Sequence, residues 1–255
     1  MYRQKGFTLS EALITLGIIG VVAALTMPII VKNVQKIVLK NQFKKSYSLF
    51  SQGVMQAQTN LDAPVRCSAW LTGQKCKTAC TKRNDYGTCS AYTCADGTPI
   101  PYEENGPVSD CKVFMNELFT NVFKVSKFCE KNALKNGCIT STYRGIDKVK
   151  AELYPNTKVD PNSGFSDIAI KKGFYAWILS SGEVIITNVD LKGSIYNPPE
   201  FLIDINGHKS PNKFGYDIFS FTLRGDENGI QKIDPSDNSI VVEKGGKTAT
   251  QMLRE

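Results

Sequence analysis

From Ala12 to Val31 the sequence runs for 20 residues without a charge. No other stretch restricts the fold as strongly. At about 1.5 Å of rise per residue, a helix of that length crosses the ~30 Å hydrocarbon core of a bilayer. A core helix in a soluble protein is rarely apolar on every face for so long. Arg3 and Lys5 precede the run, and Lys32, Lys36, Lys40, Lys44 and Lys45 follow it. Leader charge favours a cytoplasmic N-terminus, but with lysines on both sides the charge rule alone does not orient the helix. A cleaved secretory signal would have a shorter apolar run, about 7–15 residues, and a small-x-small cleavage site. Met27-Pro28-Ile29-Ile30 stands there instead.

Glu11 sits at the edge of this run. A charge at the centre of a membrane helix costs about 2.5–3.5 kcal/mol, and less near the interface. A plain anchor has no use for it, so Glu11 is a functional residue in search of a partner. Lys5-Gly6-Phe7-Thr8-Leu9-Ser10-Glu11 resembles the type III leader junction of type IV prepilins and pseudopilins. The resemblance implies cleavage by prepilin peptidase after Gly6 and N-methylation of Phe7. It assigns Glu11 to assembly, pairing with the N-terminal amine of a neighbouring subunit. A buried carboxylate is tolerable when it faces a cation. Pro28 lies where many members of that family carry a helix-bending proline, and Gly20 to Pro28 corresponds to the stretch that loses helicity in several assembled pili. Proline removes a backbone donor and clashes with the preceding turn. Gly20 and Ala24 also form a small-xxx-small pair suited to close helix contact.

The resemblance is confined to the N-terminal segment. It implies a pilin fold and filament assembly with other pilin-like subunits. It also implies an inner-membrane assembly platform and contact with membrane lipid. The globular part would be extracytoplasmic in a single-pass membrane precursor, then periplasmic or on the cell surface. A type II secretion pseudopilin, a pilus subunit and a DNA-uptake subunit all stay open. The rival reading is a membrane-anchored extracytoplasmic binding protein that does not polymerise.

The remaining pattern reads as α+β. Residues 1–6 form the leader, 7–31 the membrane helix and 32–60 its amphipathic continuation. Val34, Ile37, Val38, Phe43, Tyr47, Phe50, Val54 and Met55 mark the apolar face, and Asn60–Pro64 ends the helix. Residues 61–138 read as a cysteine-rich, irregular region with a second helix over Ser109–Asn132. Residues 139–255 hold an antiparallel sheet and a polar tail. Its strands are a hairpin from Phe174 to Val189 turning at Ser180–Gly182, then Phe201–Ile205, Asp217–Leu223 and a short strand near Ser239–Val242.

All eight cysteines fall within this central region: Cys67, Cys76, Cys80, Cys89, Cys94, Cys111, Cys129 and Cys138. Outside the cytoplasm an even count reads as a disulfide framework, and the sequence does not choose the pairs. The rival is zinc, at Cys76-x3-Cys80 and Cys89-x4-Cys94. The one histidine, His208, is not near them.

Asp204-Ile-Asn206-Gly207 through Asn212 to Asp217 is the most patterned stretch beyond the N-terminus. It reads two ways. Asp204, Asn206, Asn212 and Asp217 supply oxygens for calcium, which takes six to eight; or Asp and Asn bond their own backbone in Asx-turns. Pseudopilins of secretion systems carry calcium in a C-terminal loop, but in a different arrangement.

The formal net charge of +7 is spread along the chain and sets no strong polyanion-binding patch. Tyr86 to Tyr92 and Lys75 to Arg83 are the faint DNA signal. With one histidine, no phosphate-binding glycine loop and no nucleophile beside a base, the sequence does not read as an enzyme.

Overall fold

A computed structural model of the chain describes residues 8–62, 78–99, 107–187, 199–224 and 232–255. The chain divides into two compact units, Met1–Asn41 and Gln42–Glu255. Helix α1, Leu9–Leu61, begins in the first and ends in the second. It is the one described helix long and apolar enough to cross a membrane. It runs unbroken through Gly20 and Pro28, although the proline leaves the Ala24 carbonyl without its i+4 N–H. Asp62, at φ 49°, adopts the left-handed conformation that stops it.

In the second unit the chain adds a hairpin of β1 (Thr78–Arg83) and β2 (Cys89–Cys94). Next come α2 (Pro107–Asn116), a π-helical turn at Glu117–Val122 and β3 (Val125–Cys129). Helix α3 spans Ile146–Leu153, and a second π turn, Ala169–Gly173, leads into β4 (Tyr175–Leu179). Strands β5 (Val184–Thr187), β6 (Glu200–Asp204), β7 (Ile218–Arg224) and β8 (Lys232–Pro235) follow, and α4 (Ala249–Leu253) closes the chain. The six strands β3 to β8 form one sheet in sequence order, antiparallel throughout. A long N-terminal helix packed on an antiparallel sheet, with disulfides, is the α+β architecture expected.

The sheet is buried on both faces. Residues 42–61 of α1 cover one face through Phe43, Phe50, Val54 and Ala57. Phe43 meets Phe219 edge-on at 4.6 Å and Phe50 meets Phe201 at 5.2 Å. Each such ring, fully buried, contributes about 1.5–3 kcal/mol of transfer free energy. Gly53 is on this stripe because a side chain there would collide with the Phe123 ring, 2.4 Å from where its Cβ would stand. Ser46 donates to Glu183 Oε1 at 3.2 Å, and the exposed Lys45 stands 3.7 Å from the same oxygen. The opposite face, with Val184, Ile186, Leu202 and Ile218, is covered by Tyr143, Ile146, Val149, Phe165 and Ile170.

Five expectations change. The second helix stops at Val122, because Val125–Cys129 pairs with β4 and Phe128 stacks on Trp177 at 5.1 Å; pairing overrides the helical stripe. The last strand is Lys232–Pro235, not Ser239–Val242, since Ile240 fills the core instead of joining the ladder. The tail ends in a helix, and the region read as irregular holds the β1–β2 hairpin. The apolar stripe of α1 that is buried begins at Phe43: Val34, Ile37, Val38 and Met55 are exposed.

Candidate functional site: the start of the long helix and a closed acidic loop

Helix α1 opens on a capping box. Glu11 N–H donates to Thr8 Oγ1 at 3.3 Å, and Glu11 Oε2 accepts from Thr8 N–H at 2.9 Å and from Thr8 Oγ1 at 2.7 Å. The pattern satisfies two of the helix's orphan donors reciprocally. Glu11 thus has a local partner and also sits where the positive helix end favours a carboxylate. Beyond it Leu13, Ile14, Leu16, Ile18, Ile19, Val21, Val22 and Leu25 are all exposed. Gly17 and Gly20 have open space where a side chain would stand. The leader residues Gly6 and Phe7 lie outside the described residues.

The four residues of the patterned loop come together. Asp204, Asn212 and Asp217 are buried. Asp204 Oδ1 accepts from the N–H groups of Asn206 (3.1 Å) and Gly207 (2.9 Å), and Oδ2 accepts from the Tyr143 hydroxyl. Asp217 accepts from the N–H groups of Asn212 (2.8 Å) and Lys213 (2.7 Å), and the Asn206 side chain donates to the Ser210 carbonyl (3.2 Å). The hydrogen-bond network assigns the Asn212 amide nitrogen to Asp204 Oδ2 (3.1 Å) and its oxygen to Thr142 Oγ1 (2.8 Å). Asn212 therefore bridges both aspartates. Gly207, at φ 66°, packs so closely on Gly182 that a Cβ would lie 2.2 Å from its carbonyl oxygen. Burial, with the charge of Asp217 adding to it, pushes the Asp204 carboxyl well above its ordinary range, and burial also raises Asp217. Burial and then Asp204 push the Tyr143 hydroxyl up.

This set, as folded, does not fit calcium. The carboxylate oxygens are spent on N–H and O–H donors, and one loop oxygen, Asn206 Oδ1, is buried without a partner. A calcium shell needs six to eight oxygens turned inward. The Asx-turn reading describes the backbone contacts of the loop, and Tyr143 and Thr142 complete the network from outside it.

The family model for the prokaryotic N-terminal methylation motif matches residues 1–27. Those residues carry the leader motif of type IV pilins and pseudopilins. No curated protein and no solved structure matches the chain. The motif and the long apolar helix together support a type IV pilin-like protein.

The cysteines are oxidised where the structure describes them. Cys80 bonds Cys89, Cys129 bonds Cys138, and Cys94 and Cys111 are disulfide-bonded too. Cys67 and Cys76 lie outside the described residues. The zinc reading loses Cys80 and Cys89, whose sulfurs are bonded to each other. No group of three or more His, Cys, Asp or Glu side chains is placed to hold a metal among the described residues.

Sequence reasoning missed Tyr143 and Thr142, which reach the loop from 61 and 70 residues away. No local signal marks them. It also missed the capping box, whose Thr-x-x-Glu signature was legible. His208 is held by the Cys138 carbonyl at 3.0 Å.

Proposed function

We propose that this chain is a subunit of a type IV pilus-like or type II secretion pseudopilus filament. Prepilin peptidase removes residues 1–6, and Phe7 becomes the methylated N-terminus. The mature chain is held in the inner membrane by the apolar half of α1, with residues 42–255 outside the cytoplasm, until an assembly platform draws it into a filament. The observation that carries the reading is the methylation motif joined in register to a membrane-length helix with a carboxylate at its start. The disulfides support an oxidising, extracytoplasmic setting for the second unit.

In the filament, apolar faces such as Leu13, Leu16 and Ile19 pack against neighbouring copies of the helix. Glu11 meets the amine of the adjoining subunit, giving up part of its bond to Thr8 for a charge-assisted one.

The test is the intact mass and N-terminal sequence of the protein from membranes with and without prepilin peptidase. A methylated Phe7 that depends on the peptidase supports the reading. An unprocessed Met1 in both hosts, or cleavage beyond Pro28, overturns it. Processing without filament incorporation, unaltered by Glu11→Ala, would favour a membrane-anchored binding protein.

A further inference from the structure

The hairpin β1–β2 is pinned to the segment after α3. Asn84 Nδ2 donates to Asp160 Oδ2 at 2.7 Å, Lys158 Nζ donates to the Asp85 carbonyl at 3.2 Å, and the Lys158 ammonium stands 4.8 Å over the Tyr86 ring. Between hairpin and segment lies a cleft of about 300 Å³. The disulfide Cys80–Cys89 holds the hairpin wall. Helix α3, anchored in the core by Ile146 and Val149, supplies the floor.

Its volume is at the low end for ligand clefts, which run from about 300 to 1,000 Å³. That suits one ring, not an extended chain. Its charges balance: Lys150 and Lys158 stand against Asp147 and Asp160. Such a lining discourages polyanions, whose binding rests on an excess of positive charge. Asp160 is held below the usual carboxylate range by the Asn162 N–H first and Asn84 next, so it stays an ionised acceptor. The rest of the lining joins hydroxyls to two exposed tyrosines, Tyr86 and Tyr154. Aromatic faces accept apolar C–H surfaces, and their hydroxyls add a polar handle. Carboxylates and hydroxyls satisfy a ligand rich in O–H groups.

We propose that this cleft binds a single neutral sugar residue of a glycan, its C–H face on tyrosine and its hydroxyls on the Asp, Thr and Ser side chains. The site belongs to residues 84–163 and is independent of the filament reading.

The test is saturation-transfer NMR on the full chain in an amine-oxide detergent, which carries no sugar headgroup. The probes are the methyl glycosides of glucose, galactose, mannose and N-acetylglucosamine, with thymidine monophosphate as the anionic comparison. Transfer to the ring protons of at least one glycoside is expected. It should weaken about tenfold in Kd in Tyr154→Ala, the size of one lost aromatic contact, and persist in Tyr154→Phe. Tyr154 is 54% exposed, so both variants keep the fold. Transfer to no glycoside, transfer unchanged in Tyr154→Ala, or transfer to thymidine monophosphate alone overturns the proposal.

Discussion

At the scale of single residues, Glu11 and Thr8 form a unit. Thr8→Val keeps the carboxylate and removes the side chain that caps the helix. Losing an N-cap costs about 0.5–2 kcal/mol. Amide exchange in the first turn of α1 should therefore speed up, while exchange from Phe43 onward stays unchanged. Exchange unaltered at Leu9 to Ala12 would show that the box contributes nothing. Asp204 and Asp217 make a second unit with the opposite pH behaviour from most acidic pairs. Both titrate above the ordinary 3.8 in the fold, so the folded chain holds their protons more tightly than the unfolded one. The stability they contribute is fully present below about pH 4 and is lost as pH rises through the raised folded values. Thermal melts should show Tm falling across that window, and Asp204→Asn should flatten the fall. A bound cation would reverse the slope, and added calcium would raise Tm; we expect neither.

At the scale of elements, α1 is one helix with two kinds of surface. Phe43→Ala should destabilise the second unit by about 3–5 kcal/mol in denaturant unfolding, since it empties a site between α1 and β7. Ile37→Ala, at an exposed position, should leave that unfolding unchanged. An equal loss in both would mean that the stripe extends further than the buried residues indicate. The hairpin is a separate case. Replacing Cys80 and Cys89 with serine opens a loop of nine residues in sequence separation and should cost about 2–3 kcal/mol. The loss should appear as faster exchange in β1 and β2, with β3 to β8 protected as before. Much of this was readable in the sequence because the signal was local. The apolar run, the Ser180–Gly182 turn, the Phe201–Ile203 run of β6 and the alternation of Phe219, Phe221 and Leu223 with Ser220 and Thr222 in β7 each sit within one element. Helices α3 and α4 were not read from the sequence, although both left local signals: Ile146, Val149 and Leu153 at three- and four-residue spacing, and the Thr248–Gln251 capping box. Other features were not local. Phe128 fits a helical stripe as well as a strand, and Trp177, 49 residues later, decides between them. The calcium-like spacing of Asp204, Asn206, Asn212 and Asp217 could not reveal that Tyr143 and backbone N–H groups would take the oxygens.

At the scale of the whole molecule, the sheet is laid out in the order of the chain. Each of β4 to β7 pairs with the strand before it and the strand after it, and β3 and β8 are the edges. From β4 to β8 such neighbours are joined by shorter connections and meet early, because loop-closure entropy grows with separation, whereas β3 and β4 are separated by α3. The contact between α1 and the sheet is of the other kind. Phe43 waits for Phe219 and Phe221, and every residue between them must be made first. During synthesis the helix is therefore complete while its sheet does not exist, and Phe43, Phe50 and Val54 have no partner to cover them. Under the proposed function, a chain emerging across a membrane in that state would present an unsatisfied apolar seam for as long as it takes to deliver β7. That interval, more than any finished contact, is when a chaperone or a neighbouring chain would find it easiest to bind.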